Sequence, residues 1–591
     1  MEGDGRTMDS SAIRVVADIV RYRSEDMPEK VAIRYVPDLA ALSVSEELTY
    51  RKLCERALTI GIWLVRNGFR PGDRALLVFD RPVAFAEAFF ACAWAGVIAV
   101  PAPVPGPSRT GRERLTGIVA DAEPSVVLCD GRGASGFQDW ALRTGSGSLP
   151  VCDVRSLQTP VEFDRVTPFA RADDVLLLQY TSGSTREPKG VVVTNANVVA
   201  NLNVIRTRLG GGLGRGACGW LPLTHDMGLL GQLLFPLFTG GWVCLTSPSE
   251  FVRRPLGWLS LMSRYRADLA TAPDFAYALC TRAGRDNPVV STLDLSSWRQ
   301  ALNGAEPVRA DTLTAFAAEF GKAGFAAEAL TPTYGLAEAT LMVSAKPSGT
   351  MPTVLTVDHD ALARGAVEPV APGERARRIV SCGEYEPGTV AIVDPNTRVA
   401  RDAARIGEIW VSGPCVAQGY WKQSSQSAES FDAMTADGRG GYLRTGDLGF
   451  VSSGTLYVTG RIKDVIVVRG RNLYPHDLED TVRGAAGGLS LGRSVVLGMD
   501  DEPGVIVIQE LSDDDPEEGV LAAAAARIRR ALIQDFGVGR SSVLFVPPRT
   551  VRLTTSGKVR RSLMKQLFLE SELNPIYQAM APEPRVEKEE R

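Results

Sequence analysis

From Thr181 to Gly190 the chain reads Thr-Ser-Gly-Ser-Thr-Arg-Glu-Pro-Lys-Gly. A glycine set among hydroxyl side chains and followed by a lysine suits a polyphosphate. Gly183 lets backbone amides approach an anion closely, and Thr181, Ser182, Ser184 and Thr185 add hydroxyl donors. Lys189 supplies a point charge. A Walker A loop runs Gly-Lys-Ser/Thr at its end, whereas here Pro188 stands before the lysine, so this is a different phosphate loop. Taken alone, the segment also reads as a plain polar hairpin.

Further segments carry complementary chemistry. Asn303-Gly304-Ala305-Glu306 follows the apolar pair Ala301-Leu302, as a loop at a strand end would. Tyr334-Gly335-Leu336-Ala337-Glu338 offers an aromatic ring for stacking and a carboxylate that could meet Mg²⁺ on a phosphate. Tyr442-Leu443-Arg444-Thr445-Gly446-Asp447 sets an aspartate on a turn, suited to a ribose diol. Thr554-Thr555-Ser556-Gly557-Lys558 puts a lysine on a flexible loop before a basic helix expected over Val559 to Leu567. Each has a structural reading of its own: a Tyr-Gly turn, a turn aspartate, a solvated lysine.

The elements that must position these groups alternate helix and strand. The apolar run Val175 to Leu178 and the β-branched run Val191 to Val193 make the phosphate loop a link between two strands. Thr49 is placed to cap a helix with Leu53, Ala57, Ile60 and Leu64 on its apolar face, and Gly68 stops it. Ala75 to Phe79 reads as a buried strand, Ala84 to Trp94 as a helix, and Val97 to Val100 as a strand ending at Pro101. Repeated βα units predict an α/β fold with a mostly parallel sheet. Gly210 to Gly216 reads as a mobile surface loop. Ser452-Ser453-Gly454 marks a hairpin, after which Arg461-Ile462-Lys463-Asp464 interrupts the apolar pattern. The expected division is a large domain over 1–460, a hinge over 461–465, a smaller α+β domain over 466–581 and a charged, disordered tail over 582–591.

Composition excludes other classes. The chain has 591 residues, 45% hydrophobic and 23% charged, with net charge −4. That balance suits a globular enzyme and gives no electrostatic case for nucleic acid. Nine scattered cysteines without CxxC spacing point to a reducing, cytoplasmic setting and no zinc cluster. The apolar run Ala88 to Val100 is too short to span a bilayer, so no stable membrane insertion is expected. Gly131-Arg132-Gly133-Ala134-Ser135-Gly136, with Asp153 downstream, fits a dinucleotide fingerprint. No strong apolar helix pattern follows it at once, since Gln138, Asp139 and Arg143 break up the surface, which argues against a nucleotide role.

Together and in this order, the motifs resemble the adenylate-forming superfamily of acyl-CoA synthetases, peptide-synthetase adenylation domains and luciferases. Within it the chain most resembles fatty acyl-AMP ligases. Gln179-Tyr180, Arg186, Trp220 to Gly228, Ala272 to Tyr277 and Arg469 to Pro475 carry that finer likeness. The segment 345–379 matches the position of an insertion in these ligases, with a short strand at Val354 to Val357 and a helix within Asp358 to Gly365. Thr224 stands where tyrosine is common. Asp274 stands where asparagine is common, setting a possible charge near the acyl tunnel.

The resemblance implies two half-reactions at one site, with ATP and Mg²⁺ as the cofactors. A carboxylate attacks the α-phosphorus of ATP, giving acyl-AMP and pyrophosphate. The acyl group then passes to the phosphopantetheine thiol of a separate acyl carrier protein, as in polyketide or lipopeptide assembly; no carrier domain is recognisable after Lys558. By the same resemblance, residues 181–185 and Lys189 hold the β- and γ-phosphates and Glu338 organises Mg²⁺. Asn303, Gly304, Ala305, Glu306, Tyr334 and Gly335 frame adenine, and Asp447 and Arg461 hold the ribose. Lys558 meets the carboxylate and α-phosphate, His225 lies at the carboxylate end of the acyl site, and Lys463 is the hinge. The competing readings are an acyl-CoA ligase using free coenzyme A and a catalytically silent acyl-adenylate binder. Glu338, Asp447, Arg461 and Lys558 occurring together argue against the silent module.

Overall fold

The computed structural model describes residues 12–106, 109–145, 149–158, 168–181, 188–211, 215–373, 376–403, 405–499, 504–512, 516–553 and 558–581. Two sheets build the larger part. In the first, Val151–Asp153, Val126–Cys129, Arg74–Val78, Ile98–Ala102 and Val175–Thr181 lie side by side and parallel. The strand Lys189–Thr194 closes its edge antiparallel to Val175–Thr181. Helix Tyr50–Arg66 starts as expected, with the Thr49 hydroxyl accepting from the Lys52 amide, and buries Leu53, Ala57, Ile60 and Leu64.

Helix Pro82–Ala95 is buried all round from Val83 to Ala95, because it lies between helix Tyr50–Arg66 and the sheet. That placement explains the apolar run there. Among the described residues no helix is long and apolar enough to cross a membrane.

The second sheet is parallel from Val31–Tyr35 through Trp242–Leu245, Gly216–Gly219, Leu269–Ala272 and Gln300–Asn303 to Leu330–Gly335. It then turns antiparallel through Met342–Ala345, Ala376–Tyr385, Thr455–Arg461 and Leu443–Ser452. The hairpin at 452–455 forms on positive φ at Ser453 (50°) and Gly454 (75°), the two-residue turn whose twist suits paired strands.

The smaller part is α+β. Strands Leu491–Gly498, Val505–Leu511, Ser541–Val546 and Tyr577–Ala579 form its sheet. Helix Glu518–Phe536 connects the parallel pair Val505–Leu511 and Ser541–Val546. Separate apolar clusters cover the two faces, one around Leu478, Ile528 and Phe545 and the other around Val495, Leu544 and Met564.

Several local expectations need correction. Gly131–Thr144 is a helix, capped by Asp130, with Phe137, Trp140 and Ala141 buried. Gly133 is required there by packing, since a Cβ would stand 1.9 Å from the Val78 carbonyl oxygen. The apolar stripe starts one turn later than the glycines, which hid it. The strand ending at Pro101 runs on to Ala102, in register with Val78, because proline is tolerated where its missing amide is not needed. Gly216 is no surface loop but the start of a central strand, where a Cβ would stand 2.3 Å from Trp242. Residues 212–214 lie outside the described residues, as does the tail 582–591. The basic helix runs Arg561–Leu569, because Val559 instead bridges Leu553.

Within 345–379, strand Val354–Asp358 pairs antiparallel with Ala376–Tyr385, and helix His359–Ala363 follows, capped by Asp358. This unit touches both parts of the molecule. Val357, Leu362 and Ile379 share one apolar cluster with Phe450 and Tyr457 of the large sheet and Tyr474 of the smaller part. Arg377 pairs with Asp477 at 2.9 Å and lies over the Tyr474 ring at 4.8 Å. Asp360 pairs with Arg471, and the His359 ring meets Phe536 edge-on at 5.0 Å.

Burial pushes the Asp477 carboxyl up to about 6, against the pull of Arg377. The carboxyl therefore binds its proton more tightly folded than unfolded, where its ordinary value is 3.8. Its contribution to stability is complete below 3.8 and is lost as pH rises through about 6. The melting temperature of the wild type minus that of Asp477→Asn should fall across this window. Curves that stay parallel would contradict it.

Candidate functional site

The parallel strands of the second sheet end on one side, and a cavity of about 2110 Å³ opens there, bounded by both parts of the chain. Carboxyl ends of parallel strands are the usual place for a ligand in an open α/β sheet. Strand Gln300–Asn303 delivers Gly304 to Glu306, and strand Leu330–Gly335 delivers Tyr334 to Glu338. Gly304 is held so close that a Cβ would stand 2.5 Å from Thr333 Oγ1, and Ala305 takes φ of 66° to turn the chain. Thr181, Lys189, His225, Ala305 and Glu306 line the cavity. So do Tyr334, Gly335, Glu338, Asp447, Arg461, Lys463 and Lys558. Asn303 and Gly304 stand behind this wall. Ser182, Gly183, Ser184 and Thr185 lie outside the described residues.

Asp447 was expected on a turn but lies within strand Leu443–Ser452, directly across from Arg461. The Thr445-Gly446 pair looks like a turn only because Gly446 takes φ of 69° inside the strand. The cross-strand register gives Asp447 two partners. Arg461 Nε forms an ion pair with Oδ1 at 3.0 Å, and the Tyr334 hydroxyl donates to Oδ2 at 2.8 Å. The Asp447 carboxylate in turn holds the Arg461 guanidinium more firmly protonated.

Lys558 enters the cavity from the smaller part. Burial lowers the pKa of its ammonium and nearby Arg461 lowers it further, while Asp226, Asp447 and Glu306 pull the other way. His225 Nδ1 lies 2.6 Å from Asp226 Oδ1. For Asp226, burial favours the neutral acid, but His225, Lys558 and the Met227 amide outweigh it and hold the pKa down. The loop bearing His225 is fixed from two sides. Gln179 Nε2 donates to the Thr224 carbonyl at 2.9 Å, and Gln232 exchanges two hydrogen bonds with the Leu221 backbone.

Glu338 sits on the short turn Ala337–Ala339 and accepts from the Tyr420 hydroxyl at 3.0 Å. Burial raises its carboxyl pKa, a penalty a cation at the site would relieve. Among the described residues no group of three or more His, Cys, Asp or Glu side chains could hold a metal. A single carboxylate still fits Mg²⁺, which is commonly held by one or two carboxylates together with substrate phosphates and water.

Two acidic groups prove to be partly structural. Glu306 Oε1 accepts from the Phe275 amide at 2.6 Å, at the start of helix Asp274–Gly284. Asp274 reaches the cavity edge, but its oxygens accept from Asn303 Nδ2, the Arg309 amide and the Thr312 hydroxyl. These three bonds tie it as a polar strut, while burial raises its pKa.

Tyr420 was missed from sequence. It bonds Glu338, and Lys189 Nζ stands 5.0 Å from the centre of its ring. Backbone bonds from Val192 to Gly419 and from Trp421 to Gly190 lash its segment to the strand Lys189–Thr194. A Gly-Tyr-Trp cluster in a polar stretch was the available signal.

Comparison with known proteins adds the following. Residues 20–421 match the AMP-binding enzyme family. The medium-chain-fatty-acid–[acyl-carrier-protein] ligase JamA of Moorena producens is 37% identical, over 96% of this chain and 97% of that protein. The ligase TtuA of Teredinibacter turnerae, with the same activity in its name, is 33% identical over 95% and 94%. A solved fatty acid AMP ligase from Legionella pneumophila is 31% identical with a TM-score of 0.73, covering 97% of this chain and 99% of that one.

Proposed function

Because this chain belongs to the AMP-binding enzyme family, we propose that it activates a fatty acid as its acyl adenylate and passes the acyl group to a carrier protein. In the first step a carboxylate oxygen attacks the α-phosphorus of ATP. The bond to the bridging oxygen breaks and pyrophosphate leaves. In the second, the phosphopantetheine thiol of an acyl carrier protein loses its proton and attacks the acyl carbon, and AMP leaves. The observation that carries this reading is the meeting of Lys558, Arg461, Asp447, Asp226 and His225 around one cavity whose lining also includes Ile205, Leu302, Leu341 and Met342.

The protein's part is positioning and charge stabilisation, as phosphoryl transfer generally requires. Thr181 and Lys189 face the β- and γ-phosphates, and the rest of that loop, 182–185, lies outside the described residues. Tyr334 and the Gly304–Glu306 turn frame adenine. Asp447, oriented by Arg461 and Tyr334, accepts from the ribose hydroxyls. Lys558 and His225 meet the carboxylate as it reaches the α-phosphate, and Lys463 lies at the turn on which the smaller part swings. Glu338 would hold Mg²⁺, which neutralises phosphate charge when bound.

The test is to incubate the protein with ATP, Mg²⁺ and a panel of carboxylic acids, with holo carrier protein or coenzyme A, and weigh the products. Acyl-AMP and acylated carrier are expected. An absence of acyl-AMP with every acid would refute the proposal. Glu338→Gln should cut turnover about tenfold or more and raise the Mg²⁺ requirement while leaving the melting temperature nearly unchanged. An unaltered Mg²⁺ titration would make Glu338 a turn residue only.

A further inference from the structure

Past His225 the lining of the cavity continues onto the π-helix Met227–Leu234. The lining includes Ile205, Gly231, Thr271, Leu302, Leu341 and Met342. A π-helix is a rare turn geometry that recurs where a fold serves a ligand. The two glycines of this helix stand in opposite situations. At Gly228 a Cβ would lie 2.2 Å from the Pro222 carbonyl oxygen, so packing forbids any side chain. At Gly231 a Cβ would meet only Leu341 Cδ2 and Thr271 Cγ2, both at 3.4 Å, which is ordinary contact.

Gly231 is also absent from the positive-φ positions, so backbone conformation does not require glycine. Glycine within a helix is disfavoured relative to alanine. The fold would therefore accept, and by propensity prefer, a side chain at 231. What the missing side chain leaves is room for a methyl in contact with Leu341 and Thr271, on the wall of the cavity.

Building on the acyl-activating reading, we infer that Gly231 is a specificity-determining residue. Its bare backbone leaves the cavity beside Ile205, Leu302, Leu341 and Met342 to the distal carbons of an aliphatic acid. The carboxylate end is served by the polar groups near His225, so a side chain at 231 should act on chain length and not on chemistry. Gln232, next in the helix, is committed to the Leu221 backbone, which fixes the helix and hence the position of this opening.

The experiment compares wild type, Gly231→Ala and Gly231→Leu in acid-dependent pyrophosphate exchange, using straight-chain acids graded from short to long. For Gly231→Leu the ratio of kcat/KM for long acids to that for short acids should fall about tenfold or more. Gly231→Ala should shift the same ratio in the same direction by less. The KM for ATP should not move in either. An unchanged ratio, or a loss equal for all lengths, would overturn the inference. Gly231→Ala needs no neighbour to move, so its profile decides the matter if the leucine variant fails to fold. A wild type that exchanges with no acid would instead defeat the acyl-activating reading itself.

Discussion

Replacing Lys558 with alanine should lower acyl-AMP formation by about a hundredfold or more, the loss typical of removing one well-placed charge from a transition state. The argument is electrostatic. Negative charge crowds where the acid's carboxylate meets the α-phosphate, and a cation there stabilises that arrangement in proportion to its desolvation. Under the proposed function Lys558 is that cation. It is buried enough to depress its pKa, yet Asp226, Asp447 and Glu306 keep drawing on its charge. It arrives on the smaller part, so it serves only when that part is closed over the cavity. Transfer of the acyl group from supplied acyl-AMP to the carrier thiol should therefore stay within about threefold of wild type, since that step builds no charge at the α-phosphate. Exchange of pyrophosphate into ATP measures the first step, and acylated carrier from supplied acyl-AMP measures the second. Equal loss in both steps would mean that Lys558 holds the fold and not the transition state.

The second large effect concerns the acceptor. With coenzyme A present, the wild type should accumulate acyl-AMP and form almost no acyl-CoA. The unit at 345–379 is bonded to the smaller part by Arg377–Asp477, by Asp360–Arg471, by the His359–Phe536 ring contact and by the apolar seat around Tyr474. If the smaller part swings away for thiol transfer, as the proposed function requires, all of these contacts break at once. A carrier protein can offset that cost with an interface of its own, whereas a small thiol brings few contacts. Exchanging Val354 to Val370 for a short Gly/Ser link should raise acyl-CoA formation about tenfold or more, if two or three such contacts each contribute about 0.5–1 kcal/mol. Arg377→Ala, which leaves the chain length intact, should give a smaller rise in the same direction. Abundant acyl-CoA from the wild type would favour the coenzyme A reading, and unchanged output from both variants would mean that the contacts of the unit at 345–379 do not restrain the smaller part.

Much of the architecture is local and was legible. Helix Tyr50–Arg66 starts on a threonine whose side chain caps it, and its apolar stripe fixes the buried face. The hairpin at Ser453-Gly454 follows from two residues that take positive φ. The two strands about the phosphate loop follow from their apolar and β-branched runs. Errors arose where a distant element decided a local conformation. Gly133 and Gly216 are glycines because Val78 and Trp242 lie against them, which no neighbouring residue announces. Asp447 looks like a turn residue until Arg461, on the next strand, comes into register with it.

The sequence by itself determined the chemistry available: a hydroxyl-rich loop with Lys189, single carboxylates at Glu338 and Asp447, and a lysine at 558. Side-chain type sets charge, hydrogen-bonding capacity and intrinsic pKa, and these travel with the residue. Only the tertiary structure decided which groups remain available. It tied Asp274 into three hydrogen bonds and engaged Glu306 with the Phe275 amide, while Lys558 came to lie among Asp226, Asp447 and Glu306. It brought Tyr420 to Glu338 across a gap in the chain. Whether a carboxylate is a strut or a binding group depends on desolvation and on partners brought near by packing. Both are properties of distances between segments far apart in sequence.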